Sequence, residues 1–599
     1  MMRLQGLARG AFVLGAIAAF GCGSGHRGDD DTMGAHIVIT PADADVTVND
    51  SVPVAQAYTA TLVDDNGDPH DITANVSFTV ANPSYGNWTG PTLSVTGGGA
   101  GITQVLATNG TLMASAKLTV HVNGSRDDGT VPPNTGGMFD NATESGVGPT
   151  IAYPANNVIV PPNLGQFDVH WQPGSGQDLF EISLQNAYVN LKIHKAATGP
   201  AYSFYVPTEW TTVASTAEPI TLTVSGMNSA APATKSTSTP EMIGTTNEIV
   251  QGGLYYWTTS SPQGIYRYDM STPSVPPASF FPPNMAPGGS TNCIGCHTLS
   301  KDGTKIAMTI DSGDGRGAMF DVGDRSILIP FATNPQRWNF ATFNADNTKL
   351  VTVSAGQMVL RDASGAILMT IPNTTGQLST HPELSPDATQ LASVDTGGGG
   401  TDYQVTGGSI VTRTFDDASN TFGPAKVLVP NATGSSNFYP SWSPDGQWIL
   451  FTRTTGNSYA DPSAEVWVVK ADGTGTPIQL AAADTTAAML RNSWARWTPF
   501  VQSYGPDHRS VFFVTFSSAR QFGVRPLTNG TYGPDQQIWM APFFPDQANG
   551  GMDPSGPAIR MPFQDFATSN HIAQWTQAVI IGRRADGTAI TQAEALAAQ

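Results

Sequence analysis

Six short segments in the C-terminal half share one pattern, and it limits the fold more than any other feature. Residues 296–303 (CHTLSKDG), 340–347 (FATFNADN), 381–388 (HPELSPDA) and 439–446 (YPSWSPDG) each lead into an apolar run such as 447–452 (QWILFT). Two degenerate copies follow at 494–499 (WARWTP) and 572–576 (IAQWT). Copies begin 41 to 78 residues apart, which suits four-stranded propeller blades of about 40 to 50 residues with insertions in the later ones. The Ser-Pro-Asp-Gly core is a tight reversal into a strand: Pro fixes φ, Asp bonds the backbone two residues on, and Gly accepts a positive φ. Six inner strands imply six blades. Too little chain follows residue 576 for a full blade, so closure is expected to borrow residues 254–257 and 264–268 from upstream.

The repeat resembles the WD40-like repeats of the TolB propeller family, most closely over residues 439–452. That resemblance implies a propeller, placed here at 291–582, whose axial face commonly binds partner proteins.

The first repeat carries Cys293, Ile294, Gly295, Cys296 and His297. C-x-x-C-H is the attachment sequence of c-type haem. Two thiols one turn apart can each add to a vinyl group of one porphyrin, and the adjacent imidazole reaches the iron. A local disulfide or half of a small metal site are the other readings. With three cysteines in the chain, one of them in the leader, a four-cysteine zinc site cannot form. In a propeller the equivalent segments of all blades open on one face. His381, in register with Cys296, and His571, two residues before the position matching His297, are therefore candidate second iron ligands. His571 ranks first because the last inner strand lies beside the first, His381 second, and Met285 or Met319 third. A water-bound iron is the alternative, and either histidine also reads as a rim residue. Met308 reads as core, and Trp338, Trp494, Trp497 and Trp575 as possible pocket walls.

Upstream, residues 1–21 pair Arg3 and Arg9 with an apolar run too short to span a bilayer, which reads as an export signal. The sequence around Cys22 resembles a bacterial lipoprotein processing site, which implies a lipidated Cys22 and a polar tether over 22–34; ordinary signal cleavage is the other reading. Residues 35–122 alternate polar and apolar with turn pairs at 66–67 and 109–110, suiting a β-sandwich. They resemble a bacterial immunoglobulin-like domain, notably at 64–80 (DDNGDPHDITANVSFTV), which implies a spacer. A Gly-, Asp-, Asn- and Pro-rich stretch over 123–148 reads as a linker. Residues 149–270 resemble a fibronectin type III sandwich, with the strand at 253–257 expected to pack on Trp171. His170 and His194 read as surface or half-buried side chains. Six prolines over 273–287 make 271–290 a stiff connector, and 583–599 a tail.

The fold class is therefore all-β: two β-sandwiches, then a propeller. Charged residues are 13% of the chain, whereas Gly (63) and Pro (44) abound, as many short strands require. A net charge of −19 disfavours nucleic acid and anionic membrane surfaces as partners and would steer a basic protein or small cation towards the chain. There is no G-x-S-x-G elbow, phosphate loop, H-E-x-x-H or EF-hand loop; residues 311–315 (DSGDG) read as a solvated turn before a calcium loop. Three functions compete. The first is an envelope lipoprotein of the outer membrane carrying haem c for one-electron transfer with a redox partner protein. The others are a haem-free scaffold for an envelope protein and a metal-dependent propeller enzyme such as a polysaccharide lyase.

Overall fold

The computed structural model describes residues 34–285, 294–310, 316–330, 337–397, 402–459, 461–485, 490–525 and 536–598. Cys22, Cys293 and residues 311–315 lie outside them. Two β-sandwiches precede six radial sheets. The strand types differ as their surroundings demand. Asp43–Asn49 in the first sandwich buries alternate residues, as a strand with one solvated face must. Trp448–Thr454 in the propeller is buried almost throughout, because neighbouring blades cover both faces.

The inner strands are Ile294–Leu299, Phe340–Phe343, Leu378–Leu384, Ser436–Trp442, Ser493–Trp497 and Asn570–Thr576. We number their blades one to six. The repeated turns have a common mechanism. Ser385 Oγ donates to Asp387 Oδ1 (2.6 Å) and accepts from the Gln390 amide (3.0 Å), so one hydroxyl spans the reversal. Ser300 does the same with Asp302 (2.7 Å) and the Lys305 amide (2.9 Å). In blade two Asn344 Oδ1 takes the serine's accepting role towards the Lys349 amide (2.9 Å).

The ring closes with strands from both sides of the motif. Asn570–Thr576 pairs antiparallel with Gly253–Thr258, followed outward by Gly264–Asp269 and Ala278–Phe281. The propeller therefore begins at Gly253, not at residue 291, and the proline-rich connector contributes an outermost strand. Proline is tolerated around that strand because an edge has no second ladder to complete. Gly253–Thr258 is thus a strand of blade six, and the ring partner of Trp171 is Phe180, at 5.4 Å between centroids.

Residues 123–148 are not a flexible linker. Leu112–Asp128 is one strand that pairs first with Gly101–Asn109 and Asp43–Asn49, then runs parallel to Val189–Ala196 of the second sandwich. Its polar end is held by Arg126 to Glu209 (2.8 Å) and by Lys195 to Asp128 (3.0 Å), so polarity here serves a shared sheet. The helix Thr135–Asn141 follows, and its Phe139 stacks on His194. His194 is accordingly buried, between Asp127 (3.3 Å) and Glu181 (3.2 Å). The C-terminal residues are not a loose tail either: Ile580–Arg583 and Ala589–Thr591 form a hairpin before the helix Gln592–Ala597, and Arg583 pairs with Asp321 of blade one.

His170 is also buried, because the propeller covers its sandwich face. Its Nδ1 lies 3.1 Å from the Phe522 carbonyl and 3.3 Å from the Val524 amide. Burial, with Arg525 adding to it, pushes its pKa down to about 3. The folded value lies below the unfolded 6.5, so the unfolded chain takes up the proton first. This contribution to stability is complete above that value and is lost as pH falls towards 3. Replacing His170 by Asn should flatten the fall in urea midpoint between pH 6.5 and 4.5, the lost slope being about 1.4 kcal/mol per pH unit. Parallel midpoint curves for the two proteins would refute this.

Candidate functional site

Five of the six inner strands carry the same irregularity. Register slips by one residue between Gly295 and Thr298, Thr380 and Glu383, Phe438 and Ser441, Ser493 and Arg496, and opposite Tyr255–Trp257 between His571 and Gln574. Within each bulge one non-glycine residue is left-handed: Cys296 (φ 42°), His381 (49°), Tyr439 (53°), Trp494 (59°) and Ile572 (51°). Such conformations cost about 1–2 kcal/mol for ordinary residues, and a bulge re-aims the side chain it carries. Here the re-aimed side chains meet at the axis. Tyr439 stacks on Trp494 at 3.7 Å between centroids and lies tilted against His381 at 4.1 Å, and Phe340 meets His381 edge-on at 4.6 Å. They make an aromatic floor.

Above that floor is a cavity of about 250 Å³ on the side of the repeated turns, lined by Cys296 and His297 from blade one and His381 and Glu383 from blade three. Trp442, Trp497 and Trp575 contribute walls, and their indole N–H groups are spent on the Glu383 carbonyl, the Ser441 carbonyl and the Thr515 hydroxyl. Lys301 and Arg496 supply the cations.

From Ile294 onward the Cys-x-x-Cys-His segment is a strand and not a helical turn; the bulge at Cys296 brings its thiol to the cavity. His297 is buried, its Nε2 lies 3.3 Å from the Tyr255 carbonyl, and its Nδ1 meets no hydrogen-bond partner. Burial, with a smaller push from Arg496, lowers its pKa to about 4 against the opposing Tyr255 contact. His381 is 3% exposed, and neither ring nitrogen has a partner in hydrogen-bonding geometry. Burial and then Arg496 hold its pKa well below the ordinary value, with the Asp402 backbone opposing. Both imidazoles are neutral at pH 7. Glu383 accepts from Ser441 Oγ and the Trp442 amide, both at 3.1 Å. Burial raises its pKa, while Arg496 and those bonds pull it back; its side chain is 24% exposed to the cavity, so water there relieves part of the rise.

His571 stands apart. It precedes its bulge, bonds Ser569 Oγ at 3.0 Å, lies beside Trp257 and does not line the cavity. Neighbouring strands in a ring do not make neighbouring side chains when the bulge turns successive residues different ways. Met319 and Met308 are core residues, and Met285 is exposed with its sulfur 3.5 Å from Arg325. Trp338 is buried between blades one and two, away from the cavity. Lys301, Glu383 and Arg496 escaped sequence reasoning, although Lys301 fills the proline position of the repeated turn and so carried a signal. Among the described residues, no three His, Cys, Asp or Glu side chains converge as metal ligands.

The fold and site together define an all-β propeller with an axial cavity. No family model matches the chain, and no curated protein does. Solved structures similar to it include TolB from Agrobacterium tumefaciens (14% identity, 52% of this chain and 88% of that one, TM-score 0.28). A 6-phosphogluconolactonase structure from Bacteroides uniformis is 12% identical over 57% of this chain and 90% of its own, TM-score 0.30. Dihydro-heme d1 dehydrogenase NirN is 13% identical over 49% and 61%, TM-score 0.29. Likenesses this low carry no argument about function, and the propeller rests on its own strand pairing.

Proposed function

We propose that this chain is a c-type haem protein of the cell envelope, with Cys293 and Cys296 attaching the porphyrin, His297 binding the iron and the axial cavity receiving the group. The observation that carries this reading is the meeting of Cys296, His297 and His381 in one cavity, with three buried imidazole nitrogens lacking partners. The donor set fits: a thiol and two neutral imidazoles are the groups such a cofactor takes. When bound, the group supplies a one-electron iron couple. The chain's own contribution is to present the thiol at the bulge, keep both imidazoles unprotonated by burial, and wall the site with indoles. His381 replaces His571 as the candidate second ligand, because it shares the cavity with His297. In the same reading Cys22 carries a lipid that holds the protein at the outer membrane, and the acidic charge steers a basic redox partner.

The test is a pyridine haemochrome spectrum of protein from a host with c-type maturation. The expected result is covalent haem that is lost in Cys296→Ala. His381→Ala should shift a low-spin spectrum to high-spin with haem retained, and His571→Ala should leave it unchanged. A colourless wild-type protein would end the haem reading.

A further inference from the structure

Two cations sit in the axial cavity with unused donors. Lys301 gives one hydrogen bond, to the Ser385 carbonyl at 3.1 Å, although an ammonium has three to give. Arg496 donates to its neighbour's carbonyl, Ala495 at 2.9 Å, and its Nε stops 4.0 Å from the Glu383 carboxylate. A guanidinium normally closes on a carboxylate in a paired fork below 3 Å, so this one is held off its partner. Glu383 is meanwhile engaged by Ser441 and Trp442, which fix it away from Arg496. A second and independent sign of a missing occupant is His381, 3% exposed, lining the same cavity with both nitrogens unpartnered. The chain as a whole is strongly acidic; two cations beside one carboxylate therefore make this cavity a local positive focus. Low-dielectric aromatic walls strengthen that focus.

We propose that Lys301 and Arg496 form a binding pair for a carboxylate entering the axial cavity between Trp442, Trp497 and Trp575. The carboxylate has two possible sources. One is a propionate of the haem, which rests on the function proposed above; the other is a separate aromatic or aliphatic acid, which does not. Arg496 gives the planar fork, Lys301 the point charge, and the indole faces the apolar contact. Glu383 competes for Arg496 and keeps it extended towards the cavity.

The experiment uses the full chain made in a host without c-type maturation, with benzoate as probe, benzyl alcohol as its neutral counterpart, and tryptophan fluorescence as readout. If the site takes a separate acid, benzoate binds saturably and at least tenfold more tightly than benzyl alcohol. Arg496→Gln and Lys301→Met each weaken it at least tenfold with unchanged melting temperature, and Glu383→Gln tightens it. Binding then persists in haem-loaded protein. If the source is the haem, benzoate binding is absent from loaded protein, and Arg496→Gln lowers the reduction potential because a cation near the iron has gone. The proposal is overturned if haem-free protein shows no preference for benzoate and neither substitution moves the potential of loaded protein. A protein that never takes up haem would end the haem reading alone, since the haem-free arm still decides this one.

Discussion

A chain starting at residue 291 should fail to give a soluble monomeric propeller, whereas one starting at residue 34 should fold. The shorter chain lacks Gly253–Thr258, Gly264–Asp269 and Ala278–Phe281, three of the four strands of blade six. Tyr255, Ile265, Phe280 and Phe281, all at most 1% exposed, go with them. Burying side chains of this kind contributes about 1.5–3 kcal/mol each, and a whole domain is stable by only about 5–15 kcal/mol. The loss of four such residues thus rivals the total. Asn570–Thr576 would also be left as an unpaired edge, which invites association with other chains. Size-exclusion chromatography and thermal circular dichroism decide the matter: a monomer of the short chain melting cooperatively at the same temperature would show that blade six is dispensable.

Replacing Tyr439 by Ala should cost about 3–5 kcal/mol, the range for emptying a buried aromatic site. Tyr439 is 1% exposed, and its ring is shared by Trp494, His381 and Phe340 from three other blades. Collapse into the gap is opposed because Trp494 and His381 are each held by their own bulge, so relaxation would require several strands to move together. Urea titration monitored by circular dichroism measures the cost. A change below about 1 kcal/mol would mean that the floor relaxes freely and is not a rigid part of the site.

Much of the propeller was legible because its determinants are local. A Ser-Pro-Asp turn closes through side-chain bonds spanning five residues, as Ser385 shows, so the turn is written where it forms. Four such turns and two degenerate copies after them are enough to mark six inner strands. Composition misled where polar residues serve a sheet: Arg126 and Asp128 look like linker until Glu209 and Lys195, about 70 to 80 residues away, are brought beside them.

By itself the sequence determined the blade repeat, its turn chemistry, the number of inner strands and the presence of a thiol and an imidazole in the first of them. Tertiary structure alone decided which side chains face the axis, because direction there is set by five bulges. A bulge depends on how two strands pair, and Cys296, His381, Tyr439, Trp494 and Ile572 share no residue type that would mark it. That is why His381 enters the cavity and His571 does not. It is also why Lys301, Glu383 and Arg496, lying 82 and 113 residues apart in sequence, become one charged site only when the ring closes.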